Sequence, residues 1–241
     1  MALFKSIGIV FRSTKYGESS LILDVFTREK GLRSFIVNGV RSTKAKGKAS
    51  LYQHLNIIDM VAYDKDDKLA RIKECRLGHH YQKLSFDIKR SSIGLFLLEV
   101  CKNAIREREE NRELFDFIQS RLLLLDGSEP INQSLFSIKF MLELSQHIGF
   151  RPINNFHTDQ PLFDLYNGRF TDKIDEKYLS TSEVSAAISM IDHMGMEGLP
   201  MLSYSKELRN DIIDDMVTYY QLHIEQFRDL KTIDVLRTIF G

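Results

Sequence analysis

Four cations fall within eight residues, at Arg41, Lys44, Lys46 and Lys48, in a stretch from Val40 to Ser50 that contains no acid and almost nothing apolar. Side chains of this kind must point to solvent. There they can bind a polyanion, because lysine and arginine neutralise phosphates and release condensed counterions whatever the base sequence. Further cations stand at Arg12, Lys15, Arg28, Arg33, Lys68, Arg71 and Lys73. Tyr16, Phe35, Tyr52 and Tyr63 can stack on bases, although rings in a small β domain also serve as core. Charge alone leaves the loop open between a nucleic-acid contact and a merely solvated connection. Arg33, Arg71 and Lys73 fall in strands, where a surface ion pair competes.

Other reactive side chains lack the spacing that catalysis needs. Asp64, Asp66 and Asp67 have the density of a metal-nuclease cluster, yet they alternate with Lys65 and Lys68 as a solvated hairpin tip would. His79 and His80 have no carboxylate or cysteine at metal spacing and are expected to pack or cap. The sequence has no Gly-x-x-x-x-Gly-Lys loop, no Gly-x-Ser-x-Gly elbow and no His-Glu-x-x-His helix. Cys75 and Cys101 read as small buried hydrophobes. A binding protein is expected, with no catalytic activity, no metal and no cofactor.

The elements that must carry the cations begin with strands. Ile7, Ile9 and Phe11 alternate within Phe4–Arg12, and Ser13–Gly17 reads as a polar break. Two apolar runs, Ser19–Phe26 and Leu32–Asn38, flank Thr-Arg-Glu-Lys-Gly, where Gly31 supplies the left-handed residue of a tight loop. Leu55–Tyr63 and Leu69–Leu77 complete five short strands, which suit a small closed or sandwiched antiparallel sheet. Helical spacing then takes over at Asp87–Arg108, Glu113–Leu125, a third helix from about Pro130 to Gly149, Ser182–Met194, Lys206 to about Phe227 behind an N-cap at Ser205, and Ile233–Phe240. Within 154–172, Phe163–Phe170 reads as a small hairpin turning at Asn167-Gly168.

The 33 basic residues balance 33 acidic ones, but unevenly: residues 1–76 hold 15 basic against 8 acidic. The first third is therefore a basic module and the rest an acidic one. The boundary is expected near 80, giving domains 1–80 and 81–241. No apolar run reaches the length of a membrane span, no signal peptide is evident and cysteine is scarce, so a cytoplasmic protein is expected.

Three motifs point further. Tyr16-Gly17-Glu18-Ser19, Phe26-Thr27-Arg28-Glu29-Lys30-Gly31 and Gly39-Val40-Arg41 occur in order, with apolar strands between them and the basic loop after. This arrangement resembles the N-terminal domain of bacterial RecO, the DNA repair and recombination mediator family. Phe140–Pro152 and Leu230–Phe240 extend the resemblance over nearly the whole chain. It implies an α+β protein: an N-terminal OB-fold β-barrel, then a mainly helical C-terminal domain with a small β-hairpin. Many RecO proteins carry four cysteines forming a zinc site after the Gly-x-x-Pro; here His157 is the only soft ligand in that region, so a zinc-less variant is expected.

The resemblance also implies binding of single- and double-stranded DNA, annealing of complementary strands and help in loading recombinase. Its partners would be RecR and the C-terminal tail of single-stranded DNA-binding protein. That tail is acidic with an apolar end, so its receptor should be an apolar groove rimmed by cations; Arg121, Lys139 and Arg151 beside Phe140 and Leu144 are candidates, although such apolar rows are also core. The rival expectation is an adaptor whose OB-fold grips a protein and not nucleic acid.

Overall fold

The computed structural model describes residues 2–42, 45, 47–63, 69–106, 108–127 and 131–240. Lys44, Lys46 and Lys68, and the acidic tip Asp64–Asp67, lie outside the described residues.

Five strands, β1 (Leu3–Tyr16), β2 (Ser20–Thr27), β3 (Gly31–Val37), β4 (Ile57–Tyr63) and β5 (Ala70–Leu77), close a barrel in the order β1-β2-β3-β5-β4. All pairings are antiparallel except the short β3–β5 seam. Closure depends on β1 pairing with two strands: Leu3 to Ile9 runs against β4, and Gly8 to Tyr16 runs against β2. A bulge between Val10 and Arg12 bends the strand at the crossover. Gly8 sits where both pairings meet, and a Cβ there would run into Val25. The polar residues Ser13–Tyr16 do not break the strand, as their sequence suggested. They continue it, because the pairings Tyr16↔Ser20 and Lys15↔Leu21 carry the ladder on while the side chains of 14–16 stay exposed.

The β2–β3 turn has the expected form. Gly31 takes φ +62°, and the Thr27 hydroxyl donates to Gly31 O at 2.8 Å while accepting from Lys30 N at 3.2 Å. Inward positions, among them Val10, Leu23, Val25, Phe35, Ile58, Met60 and Tyr52, fill the barrel. Ile9, Phe11 and Phe26 are also buried but belong to a second layer: Phe26 packs on Phe11 and on Phe115, with ring centroids at 5.5 and 5.9 Å.

Phe115 belongs to helix α2 (Arg112–Asp126), which follows α1 (Ile88–Ala104). Two compact units result, and they interleave in sequence: residues 1–85 with 105–126, and residues 86–104 with 127–241. In the first unit the Asp126 carboxylate accepts the backbone N–H groups of Gln82, Lys83 and Leu84 at 2.8–3.1 Å, and His79 approaches it at 3.2 Å. Burial raises its pKa, but those donors outweigh burial and hold it below the ordinary range.

The second unit adds α3 (Gln133–His147), β6 (Leu162–Asp164), β7 (Arg169–Thr171), α4 (Ser182–His193), α5 (Lys206–His223) and α6 (Ile233–Ile239). Asn132, Thr181 and Ser205 cap three of these helices, accepting from Leu135, Val184 and Leu208 N–H. Gly149, at φ +90°, ends α3 with paired bonds from Gly149 N to Gln146 O and Phe150 N to Ser145 O, a Schellman arrangement. The β6–β7 hairpin forms, but not on a two-residue Asn-Gly turn. Its loop is four residues, only Gly168 has positive φ, and the Asp164 carboxylate accepts from Tyr166 N and Asn167 N at 3.0 and 3.1 Å.

Candidate nucleic-acid interface

Strand alternation decides which cations the barrel presents. On β2 and β3 the odd-numbered residues Leu21, Leu23, Val25, Phe35 and Val37 point inward, so Ile22, Asp24, Ser34 and Ile36 point out. Register extends these outward positions across neighbours: Thr14, Ile22, Ile36 and Arg71 form one cross-strand row, and Arg12, Asp24 and Ser34 the next. Tyr16 and Ser20 lie beyond the first row, and Tyr16 is 54% exposed. The result is a sheet face with half-buried isoleucines at its centre, cations to either side and an exposed tyrosine at one end.

Three predicted cations converge here. Arg71 turns its guanidinium onto the Asn38 side-chain amide, whose oxygen faces it. Arg41 donates to Gly17 O at 3.2 Å, and its backbone N–H bonds to Ser19 O at 3.0 Å, which docks the start of the basic loop beside the β1–β2 turn. Arg12 is held by Asp24, Nε to Oδ2 2.6 Å, while the Ser34 hydroxyl donates to the other carboxylate oxygen at 2.7 Å. Lys15, at the end of β1, makes no ion pair with a described residue, and Lys48 is exposed at the head of a 3-10 helix, Lys48–Tyr52.

The remaining basic candidates lie apart from this face. Arg28 forms a two-pronged pair with Asp116 of α2, at 2.7 and 2.8 Å. That bond, more than burial, keeps the Asp116 carboxyl below and the Arg28 guanidinium above their ordinary ranges. Arg33 sits at an inward-parity position near the barrel rim and donates to Lys30 O at 3.2 Å. Lys73, in the β5 irregularity, lies 3.5 Å from Glu74. Of the rings named for stacking, Phe35 and Tyr52 are buried in the barrel, so they are core and do not reach a base. Burial, then the Cys75 thiol, raises the Tyr52 phenol well above its usual pKa, and burial lifts Cys75 to about 11.

The five residues named for a protein partner are divided between the two units. Arg121 belongs to the first unit, 5.1 Å over the Phe117 ring. Phe140 and Leu144 are fully buried in the core of the second unit, which removes them from any surface. Lys139 is buried too: its ammonium donates to Asp192 O at 3.0 Å and lies 3.8 Å from Glu143. Arg151 reaches the same aspartate, Nη2 to Oδ1 3.4 Å, and Gln146 at 2.8 Å. Asn154 donates to the other Asp192 oxygen at 3.1 Å. Asp192 was not singled out in the sequence. Its signal was an acid beside the apolar face of α4, next to Ile191 and one turn past Ile188.

A closed five-stranded barrel in the order β1-β2-β3-β5-β4 is an OB-fold, and the face of the second and third strands is where such folds take oligonucleotides. Residues 1–81 match the family model described as "Recombination protein O N terminal", and residues 85–231 match "Recombination protein O C terminal". The chain is 32% identical to the DNA repair protein RecO of Christiangramia forsetii over 99% of this chain and 100% of that protein. It is 33% identical to the RecO of Phocaeicola vulgatus at the same coverage, and 32% identical to that of Bacteroides fragilis over 99% of each chain. The chain belongs to the RecO family of DNA repair proteins. Among the described residues no helix is long and apolar enough to cross a membrane.

Proposed function

We propose that this chain is a repair and recombination mediator that binds single- and double-stranded DNA, anneals complementary strands and helps load recombinase on strands coated by single-stranded DNA-binding protein. It acts in the cytoplasm, as a binding protein without a catalytic step, on a basic module (1–80) followed by an acidic partner platform (81–241). RecR and the tail of single-stranded DNA-binding protein are its protein partners, with the tail received by the second unit. The observation that carries the DNA assignment is the outward row ending in Arg71, flanked by Arg41 and Tyr16: charge for phosphates and a ring for a base on one sheet face. Lys48 is exposed beyond Arg41, and the sequence places Lys44 and Lys46 between them. Annealing then needs only that two strands be screened and held close.

The test is a fluorescence-anisotropy titration of labelled single-stranded DNA across a salt series, with wild type and with Arg41, Lys44, Lys46 and Lys48 all changed to alanine. Four lost phosphate contacts should weaken binding roughly 100- to 1000-fold at 0.1 M salt and flatten the salt slope by about 3. A wild type that fails to bind at low salt would leave the adaptor as the better description.

A further inference from the structure

The basic loop returns to the barrel through a strained turn. Leu55 takes φ +74° and is one of two non-glycine residues with positive φ among the described residues. A bulky side chain is sterically disfavoured there, so the surrounding structure must hold it. Leu55 N donates to Val10 O at 3.1 Å, the Tyr81 hydroxyl donates to Leu55 O at 2.9 Å, and the Leu55 side chain is buried. The turn sends the chain back on itself, with Asn56 N donating to Gln53 O at 3.2 Å. It thereby aims the Asn56 amide at the 3-10 helix Lys48–Tyr52, where Nδ2 donates to Ser50 O at 2.8 Å and to Leu51 O at 3.1 Å. Tyr52 of that helix fills the barrel, whereas Lys48 at its head is exposed.

We propose that Asn56 is a positioning residue for DNA binding: its amide fixes the 3-10 helix against the barrel, so that Lys48 is already in place when a strand arrives. This rests on the DNA-binding reading of the basic loop. A 3-10 helix this short has too few internal hydrogen bonds to persist unaided. Both carbonyls that Asn56 meets lie towards its C-terminal end, where a helix leaves such groups without partners. One amide nitrogen carries the two donors that satisfy both. The loop is then anchored at each end, by Asn56 here and at Arg41 through Gly17 O and Ser19 O. A segment ordered in advance loses less freedom on binding, so the anchor raises affinity without touching DNA. Asn56 is uncharged, so it alters affinity and not the number of phosphates neutralised. The left-handed conformation of Leu55 is the strain that this aim requires.

The experiment joins amide hydrogen exchange of residues 48–56 in the free protein to single-stranded DNA anisotropy across a salt series. It compares wild type, Asn56→Ala, Lys48→Ala, the double variant and Thr27→Val. Asn56→Ala should speed exchange at the Ser50 and Gln53 amides roughly tenfold, and weaken DNA binding about fivefold with the salt slope unchanged. Lys48→Ala should weaken binding about fivefold and lower the slope by about 1. The double variant should bind little worse than Lys48→Ala, because Asn56 acts through Lys48. Thr27→Val removes a hydrogen bond of the β2–β3 turn, and should lower the melting temperature while moving neither readout. Unchanged exchange in Asn56→Ala, additive losses in the double variant, or an equal loss of DNA affinity in Thr27→Val would overturn the proposal alone. Wild-type affinity in Lys48→Ala would overturn the loop's DNA reading and the proposal with it.

Discussion

On the barrel, Arg71 and Arg41 bond to neutral acceptors, the Asn38 amide and the Gly17 carbonyl, whereas in the helical unit Arg151 reaches Asp192, and the same residue's backbone carbonyl holds Lys139. A neutral acceptor orients a guanidinium and leaves its full charge available to a ligand. A carboxylate orients it and cancels the charge as well. Arg12, Arg28 and Arg76 belong with the second kind, on Asp24, Asp116 and Asp59. A cation therefore qualifies as a phosphate contact by what holds it, and counting basic residues does not reveal that.

The largest effect that separates the two kinds is expected at Lys139. Lys139→Ala leaves Glu143 without its buried counter-charge, and should cost about 3 kcal/mol in a denaturant melt while single-stranded DNA affinity of the folded fraction stays within about twofold. Loss of DNA binding in folded protein would place Lys139 with the ligand cations instead. Next come Arg71→Ala and Arg41→Ala, each expected to weaken DNA binding roughly five- to tenfold and to reduce the salt slope by about 1. Tyr16→Ala should cost about fivefold with the slope unchanged, because stacking releases no counterions.

Asp24→Asn offers a gain. Freeing Arg12 should strengthen binding about threefold, and an unchanged affinity would show that Arg12 lies off the path of the strand. The smallest effect belongs to Arg28→Ala, where DNA affinity should not move. Arg28 lowers the pKa of Asp116, so the pair's stabilisation is full above about pH 4 and fades as pH falls through the lowered value. Wild type should lose more stability than Arg28→Ala between about pH 5 and pH 3. Parallel acid melts would show that the pair does not hold α2 in solution.

Much of the barrel was legible because its signals are local. Gly31 was readable as a left-handed turn residue, and Ser205 and Gly149 as helix ends, since caps and turns are decided within four or five residues. Asn167-Gly168 misled for a related reason: the dipeptide permits a tight turn, but the Asp164 side chain organises a longer one. Ser13–Tyr16 stays in the strand despite its polarity because pairing with β2 satisfies its backbone while its side chains remain largely exposed.

By itself the sequence determined the five strands, the Gly31 turn, the N-cap at Ser205, the stop at Gly149 and the run of cations after Val40, because each follows from contacts between near neighbours along the chain. Only the tertiary structure decided that Arg28 pairs with a residue 88 positions away, that α2 joins the barrel's unit, that Asp126 receives three N–H groups from 82–84, and that Lys139 is buried. Those outcomes depend on which surfaces are pressed together once the core has formed, and a charge carries no mark in the sequence of the partner that burial will bring to it.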